Sequence, residues 1–386
     1  GTYGSFSIDA SGHWVYSVDN GQSAVQNLQA GAQLTDSFLV TSADGTSHVV
    51  SVAVYGKNDA PVLFAQTQSV SEDGALLSGQ MQASDADAGD TLSFHIDQPV
   101  AGLTLNADGS YSFDPSNAAY QHLAAGRTET LTIPVTVTDG AGASSTQNLT
   151  ITLTGTNDGA TITDHGTPGQ IKEDQHTAIE GHLSVGDVDS GEGLFPAQQG
   201  AGLSGYGGFT LTPQANGQAY WRYSVDNSKT EIQQLGEGQL LHDSFTVHSA
   251  DGTTHTISVD IVGTNDAPVL TAQSQSVTED GSLLTGQMVA TDVDTGDTLT
   301  FSLANAVDGF TLNADGSYSF DPTDAAYQHL AQGQTETLSI PITVTDSAGA
   351  TSTANLTITL TGSNDGAVIS GTDASAVTED TQLTTQ

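Results

Sequence analysis

"GTNDAPV", Gly263–Val269, has a near copy in "GKNDAPV", Gly56–Val62, and the two aspartates lie 207 residues apart. A shorter relative, "GTNDG" at Gly155–Gly159, returns as "GSNDG" at Gly362–Gly366 with the same offset of 207. An Asn-Asp pair therefore punctuates the chain four times. Repetition at a fixed period marks an array of modules, and it governs the fold reading before any single residue does.

Two module types alternate between these marks. One spans residues 58–157 and returns over 265–364, with "LNADGSYSFDP" and "AAYQHLA" in both copies; we call it Tyr-type. The other is complete over 158–264, with "YWRYSVDN" at Tyr220–Asn227 and "LLHDSFTVHSADGTTHT" at Leu240–Thr256. Residues 1–57 match its second half through "HWVYSVDN" and "LTDSFLVTSADGTSHVV", and Trp14 and Trp221 lie 207 apart; we call it Trp-type. Residues 365–386 match the start of a further one. The sequence is thus expected to be a piece of a longer chain.

Each module is about 100 residues, an ordinary domain size. "NLTITLTGT" at Asn148–Thr156 alternates Leu149, Ile151 and Leu153 with threonine, the period-two pattern of a half-buried strand. "TLTIPVTVTD" at Thr130–Asp139 does the same, and Pro134 within it predicts a sheet edge or a bulge. Turn signals recur at short spacing, and no long stretch has helical period. The fold class expected is all-β: an elongated tandem array of Ig/cadherin-like antiparallel β-sandwich modules.

Lys and Arg number 5 against 45 Asp and Glu, a formal charge of −40. Nucleic acids and anionic membranes need a basic footprint, so they are excluded as partners. Uncompensated like charge also pushes a compact state apart, which calls for neutralising cations. Cysteine is absent, so there is neither a disulfide nor a thiol ligand. No apolar run approaches membrane-spanning length, and direct membrane insertion is not expected. No signal segment follows Gly1, so secretion cannot be read from this end.

The acids recur in order. The first Tyr-type module has Asn58-Asp59, Glu72-Asp73, Asp85-x-Asp87-x-x-Asp90 and Asp139. The second has Asn265-Asp266, Glu279-Asp280, Asp292-x-Asp294-x-x-Asp297 and Asp346. The complete Trp-type module has Asn157-Asp158, Glu173-Asp174, Asp187-x-Asp189 and Asp251, and Asn364-Asp365 opens the last piece. A hard divalent cation such as calcium takes six to eight oxygen ligands, which such turns supply. Asp, Asn and Gly also simply form turns, but turn chemistry does not explain a fixed distance from every Asn-Asp to the next Asp-x-Asp.

Sandwich topology collects these groups. Successive strands run up and down, so the Glu-Asp pair lies at the far end of its module, beside the next Asn-Asp. The Asp-x-Asp loop and the last hairpin return to the entry end. One complete seam should gather Glu72, Asn157, Asp158, Asp187, Asp189 and Asp251. The next should gather Glu173, Asn265, Asp266, Asp292, Asp294 and Asp346. The outer seams hold partial sets: Asn58, Asp59, Asp85, Asp87 and Asp139 at one end, Glu279, Asn364 and Asp365 at the other. Without a cation such convergence is repulsive.

On these residues the Trp-type pattern resembles the VCBS repeat of giant bacterial surface proteins, and the Tyr-type pattern resembles cadherin-like domains interleaved with such repeats. In cadherins an Asn-Asp-x-Ala-Pro-containing linker, an upstream Glu and downstream Asp-x-Asp and Asp bind calcium between domains. "KNDAP" and "TNDAP" match that linker in part, and "TNDGA" lacks its proline. The cadherin Asp-Arg-Glu triplet has no clear match, with Glu129 and Glu336 as its candidates. The resemblance implies an RTX-type, type I secreted adhesin at the bacterial cell surface, acting in cell adhesion and biofilms. This stretch would be a monomeric extender rod with calcium at its seams, touching its own neighbouring modules while other domains bind the distal host or biofilm ligand.

Other motifs weigh less. "DTG" at Asp294–Gly296 and "DSG" at Asp189–Gly191 look like aspartic-protease signatures but sit inside the Asp-x-Asp loops. An EF-hand would need Glu at the twelfth position from Asp85, where Ile96 stands. The "NLT" sequons at Asn148 and Asn355 fall in threonine-rich strands, His122 and His329 suit a structural role, and Trp14 and Trp221 suit a core. No nucleophile–base pair stands out, and no enzyme activity is expected. The alternative function is direct binding of a glycan or protein by module 158–264, with the Gly-rich insertion Ser190–Gly208 as its surface.

Overall fold

The computed structural model describes residues 1–166 and 169–371. Its regular structure is nearly all β, and helix among the described residues is limited to the single turns Ser23–Gln26 and Thr230–Gln233. The modules are tandem cadherin-like β-sandwiches in an elongated array.

In the first Tyr-type module one sheet runs, in spatial order, Gln66–Ser71, Ser144–Thr154, Thr128–Thr138, Ser93–His95. The facing sheet is Leu103–Leu105, Ser110–Phe113, Leu77–Gln80, with Val62–Leu63 and Ala83–Ser84 paired beside it. The second copy repeats this order. Pairing is antiparallel with one exception per copy, where the strand after the seam lies parallel to the last strand, Gln66 opposite Leu149 and Ser71 opposite Thr154. The chain pairs first with Ala83–Ser84, then changes sheets and runs beside the module's exit strand. That crossing carries Glu72 to the far end of the module.

The alternation read from the sequence becomes the core. Ile133, Val135 and Val137 are buried against Leu149, Ile151 and Leu153, and the intervening threonines face outward. Each such side chain contributes ~1.5–3 kcal/mol on burial. Pro134 is explained by an edge: Ser93–His95 reaches only Thr136–Thr138, so the side of Pro134 away from Ser144–Thr154 has no neighbour. A residue without an N–H sits there without breaking a ladder.

The complete Trp-type module has a five-stranded sheet, Thr161–Asp164, Ala178–Gly186, Gln218–Val225, Gly207–Pro213, Gln198–Ala201. It faces Ile171–Lys172, Thr254–Val262 and Leu240–His248. Trp221 is fully buried under Gly181, where an added Cβ would stand 2.5 Å from the indole. Trp14 is 44% exposed, since no described strand covers Trp14–Val18 as Ala178–Gly186 covers Gln218–Val225.

The two Trp-type copies share a buried anchor. Asp243 accepts from Tyr223 Oη at 2.6 Å and from the N–H groups of Ser204, Tyr206 and Ser244. Asp36 accepts from Tyr16 Oη and from the N–H groups of Thr2, Tyr3 and Ser37. Burial pushes the Asp243 carboxyl up, but its four hydrogen bonds outweigh that and hold it below the usual carboxylate range. The Tyr223 phenol is pushed well up by its burial and by that neighbour.

Candidate metal centres

Three backbone events recur at the seams, and all three occur together at Asn157 and Asn265. A glutamate at the module's far end accepts the N–H of the residue before the Asn-Asp pair: Thr156 to Glu72 at 2.8 Å, Thr264 to Glu173 at 2.9 Å, Ser363 to Glu279 at 3.2 Å. The aspartate of the pair donates its N–H to the second aspartate of Asp-x-Asp: Asp59 to Asp87, Asp158 to Asp189, Asp266 to Asp294, at 2.8–2.9 Å. The residue after Asp-x-Asp then donates across the seam to a carbonyl of the preceding module. These bonds run from Ala88 to Asn27, from Ser190 to His122 and from Thr295 to Gln234. His122 thus takes part through its backbone, with its ring half exposed beside Glu129.

The result is a convergence of carboxylates, drawn from both neighbours at two of the four clusters. Oxygens of Glu72, Asp158 and Asp189 lie within 4.8 Å of one another, as do those of Asp85, Asp87 and Asp90. So do those of Asp292, Asp297 and Asp346, and of Glu279, Asp280 and Asp365. Glu72, Glu173 and Glu279 are fully buried, and Asp87, Asp189 and Asp294 nearly so. Among the described residues, thirteen buried carboxylate oxygens at these seams have no hydrogen-bond partner. Each glutamate gives one oxygen to a backbone N–H and leaves the other, Oε2, unpartnered.

Charge shows in the acidities. Burial, and then the charges of Asp174, Asp266 and Asp294, push Glu173 up to about 7 against a hydrogen bond from Thr264 that lowers it. Burial and neighbouring aspartates also raise Asp158, Asp266 and Asp294. A carboxylate that is buried, like-charged with its neighbours and short of donors is one that a cation would stabilise. Every potential ligand is oxygen, which suits a hard divalent cation rather than a thiophilic one.

The structure sorts the residues expected from the sequence. Asn58 and Asn265 donate through Nδ2 to Asp139 and Asp346 at 2.8 and 2.9 Å, tying the pair to the last hairpin. Asn157 makes no such bond; its Nδ2 reaches only the carbonyl of Asp158. Asp251 instead accepts from Ala160 N–H, Thr253 and Ser249, and despite its burial these bonds hold it far below the usual range. It therefore sits at the seam as a structural acceptor with both oxygens engaged. Asp365 meets Glu279 and Asp280, the Asn364 side chain reaches only the carbonyl of Asp365, and residues 372–386 lie outside the described part. Glu129 and Glu336 lie opposite Leu153 and Leu360, outside the four clusters.

One residue escaped sequence reading. Glu192 has a buried, unpartnered Oε2 and is pushed up by burial and then by Asp189, Asp187 and Asp251. It stands five residues after Asp187, as Asp90 follows Asp85 and Asp297 follows Asp292. The common pattern is Asp-x-Asp-x-x-acid, and the change from Asp to Glu hid it.

Residues 58–155 and 265–362 match the family model of the bacterial cadherin-like domain, together just over half the chain. No curated protein matches the chain in sequence. Among solved structures, Protocadherin Gamma B2 extracellular cadherin domains 1–5 share 16% identity and a TM-score of 0.50, covering 95% of this chain and 72% of that one. Drosophila N-cadherin EC1–4 shares 15% identity at a TM-score of 0.37, covering 93% of this chain and 90% of that one. At such identities the likeness is one of fold.

Proposed function

This chain belongs to the bacterial cadherin-like domain family, whose domains serve as extracellular adhesion and spacer modules, and from that premise we propose that it is an extender segment of a bacterial surface adhesin, stiffened by calcium at its seams. The observation that carries this reading is the fully buried glutamate at each module's end. Glu72 and Glu279 each bring an oxygen within 4.8 Å of carboxylates of the following module, Glu173 feels the charges of Asp266 and Asp294, and each keeps one oxygen without a donor. Such an arrangement is costly as bare anions and favourable around a cation.

The ligands in this reading are Glu72, Asp158, Asp187, Asp189 and Glu192 at one seam. At the next they are Glu173, Asp266, Asp292, Asp294 and Asp297, with Asp346 beside them holding its hairpin as Asp139 does. Asn58, Asn157 and Asn265 position the linkers, and Asp251 and Asp139 hold the loops. The partial sets Asp59, Asp85, Asp87 and Asp90, and Glu279, Asn364 and Asp365, bind more weakly. The modules are delimited at 1–57, 58–157, 158–264, 265–364 and 365–386. The VCBS-like motifs support placement in a large, type I secreted, RTX-type adhesin of biofilms.

Extracellular modules of this sort bind calcium at about 10⁻⁴–10⁻³ M. The chain would stay loose where calcium is scarce and gain stability outside, because binding to the folded state adds to folding free energy. The test is a thermal melt in chelator and in millimolar calcium, with small-angle scattering on both samples. Calcium should raise the melting temperature and extend the maximum dimension; no change in either sinks the reading.

A further inference from the structure

The outer face of the five-stranded sheet in residues 158–264 carries a cluster unlike the faces of the neighbouring modules. In the Tyr-type sheet the outward positions are hydroxyls such as Thr130, Thr132, Thr150 and Thr152. Along Gln218–Val225 the inward residues Ala219, Trp221, Tyr223 and Val225 are buried, and Gln218, Tyr220, Arg222 and Ser224 face outward. Their partners across Ala178–Gly186 are Ser184, His182 and Glu180. The His182 ring meets the Tyr220 ring edge-on at 5.0 Å, and Arg222 Nη1 pairs with Glu180 Oε1 at 2.9 Å. Gln214, Asn216 and Gln218 surround the Tyr220–His182 pair to form an open cleft, and a second groove beside Arg222 and Ser224 continues along the same face.

The chain contains its own control for what the fold requires. In the N-terminal Trp-type piece the corresponding hairpin keeps the same inner register: Phe6 opposite Tyr16 and Ile8 opposite Trp14, as Phe209 is opposite Tyr223 and Leu211 opposite Trp221. Between the paired ends that copy has the five residues "DASGH", where the complete module has the nine residues "TPQANGQAY". The extra length supplies Gln214, Asn216 and Gln218, and His13 and Val15 stand where Tyr220 and Arg222 do. The extension also lends Ala219 to the core opposite Leu183, but that accounts for no outward side chain.

We propose that this face binds a neutral polysaccharide. A sugar ring presents a C–H surface edged by hydroxyls. Tyr220 offers an apolar ring with a polar tip, and each amide offers a donor and an acceptor, as each sugar hydroxyl does. Arg222 and Glu180 cancel each other's charge while presenting further donors and acceptors. Polyanions are repelled by a chain of formal charge −40. A peptide added as a strand would need an open edge, and both long edges of Gln218–Val225 are paired.

The experiment is affinity electrophoresis of the full chain in millimolar calcium through gels holding laminarin, dextran, mannan or the polyanion alginate. At least one neutral polymer should retard the chain, and alginate should not. Tyr220→Ala should weaken that retardation at least about tenfold, roughly 1.4 kcal/mol, and Gln218→Ser severalfold, with Thr132→Ala as the unaffected control. Melting curves establish that the variants fold, and Gln218→Ser, an outward substitution, decides the matter if Tyr220→Ala does not fold. Absence of retardation by every neutral polymer, stronger retardation by alginate, or undiminished binding by both face variants would overturn the proposal. Because the site shares no residue with the seams, its failure is distinct from failure of the calcium reading.

Discussion

The seam at Asn157 and the seam at Asn265 use the same glutamate and the same Asp-to-Asp backbone bond, yet they close the last hairpin differently. At Asn265 the third residue after the asparagine is Pro268, which has no N–H, and the asparagine side chain donates to Asp346 instead. At Asn157 that register position is Ala160, whose N–H takes Asp251, leaving the asparagine side chain without a partner on the hairpin. One donor is exchanged for another, and the consequences spread. Asp346, bonded through both oxygens to Asn265, Gly349 and Ala350, lies beside Asp292 and Asp297, while Asp251 is bonded to Ala160, Ser249 and Thr253 and Glu192 stands among the acids of that seam. The proline seam is more completely framed by side chains, and the alanine seam rests more on backbone.

The sharpest way to break this comparison is through the buried glutamates. Glu173→Gln keeps an acceptor for Thr264 N–H and removes one charge. In chelator it should raise the melting temperature, because it relieves repulsion. In millimolar calcium it should lower affinity at least about tenfold, about 1.4 kcal/mol. Glu72→Gln should invert in the same sense at the other seam. Calorimetry in both buffers reads the two signs, and a shift in the same direction in both would deny a cation at the seam.

Proton linkage comes next in size. Glu173 sits at about 7 in the fold against an ordinary 4.5. Between these values the folded metal-free chain holds a proton that the unfolded chain has released. Its stability contribution is therefore present at low pH and lost as pH rises through about 7. Urea midpoints in chelator should be higher near pH 5 than near pH 8, and calcium, which competes with the proton, should flatten or reverse the trend.

Smaller effects separate the two seams directly. Asn265→Ala removes a hydrogen bond to a largely buried carboxylate and should cost about 1–2 kcal/mol, whereas Asn157→Ala should cost no more than about 0.5 kcal/mol. Equal losses in denaturant titrations would erase the distinction. Ala160→Pro copies the residue of the other seam and deletes one donor to Asp251. With Ser249 and Thr253 still in place, the loss should be near 1 kcal/mol, and Asn157 then gains a free acceptor to turn toward.

Much of this was legible in the chain itself. The period of 207, the alternation of Leu149, Ile151 and Leu153 with threonine, and Pro134 read as an edge gave the sandwich and its repetition. The order of Asn-Asp, Glu-Asp and Asp-x-Asp placed Glu72 beside Asp158 and Asp189 because strand direction alone settles which end a loop occupies. Glu192 was missed because its residue type broke the pattern that its spacing kept. The Gly-rich insertion offered as a binding surface contains the edge strand Gln198–Ala201, and the Gln198 side chain is bonded to the backbone of His248.

What the sequence determined by itself is whatever depends on periodicity and on counting: the repeat, the alternation, the acidic sets and the charge of −40. What only the tertiary structure decided is which oxygens are already satisfied. Asp251 and Asp346 both lie in the last hairpin of their modules and each looks like a ligand from the sequence, yet it is Ser249 that holds the turn position of Asp346, its N–H bonded to the carbonyl four residues on. At one hairpin an alanine N–H binds Asp251; at the other a proline has none and the Asn265 side chain binds Asp346, so both acids are engaged but by different donors. That choice lies in hydrogen-bond geometry across some ninety residues of chain, which no local pattern records.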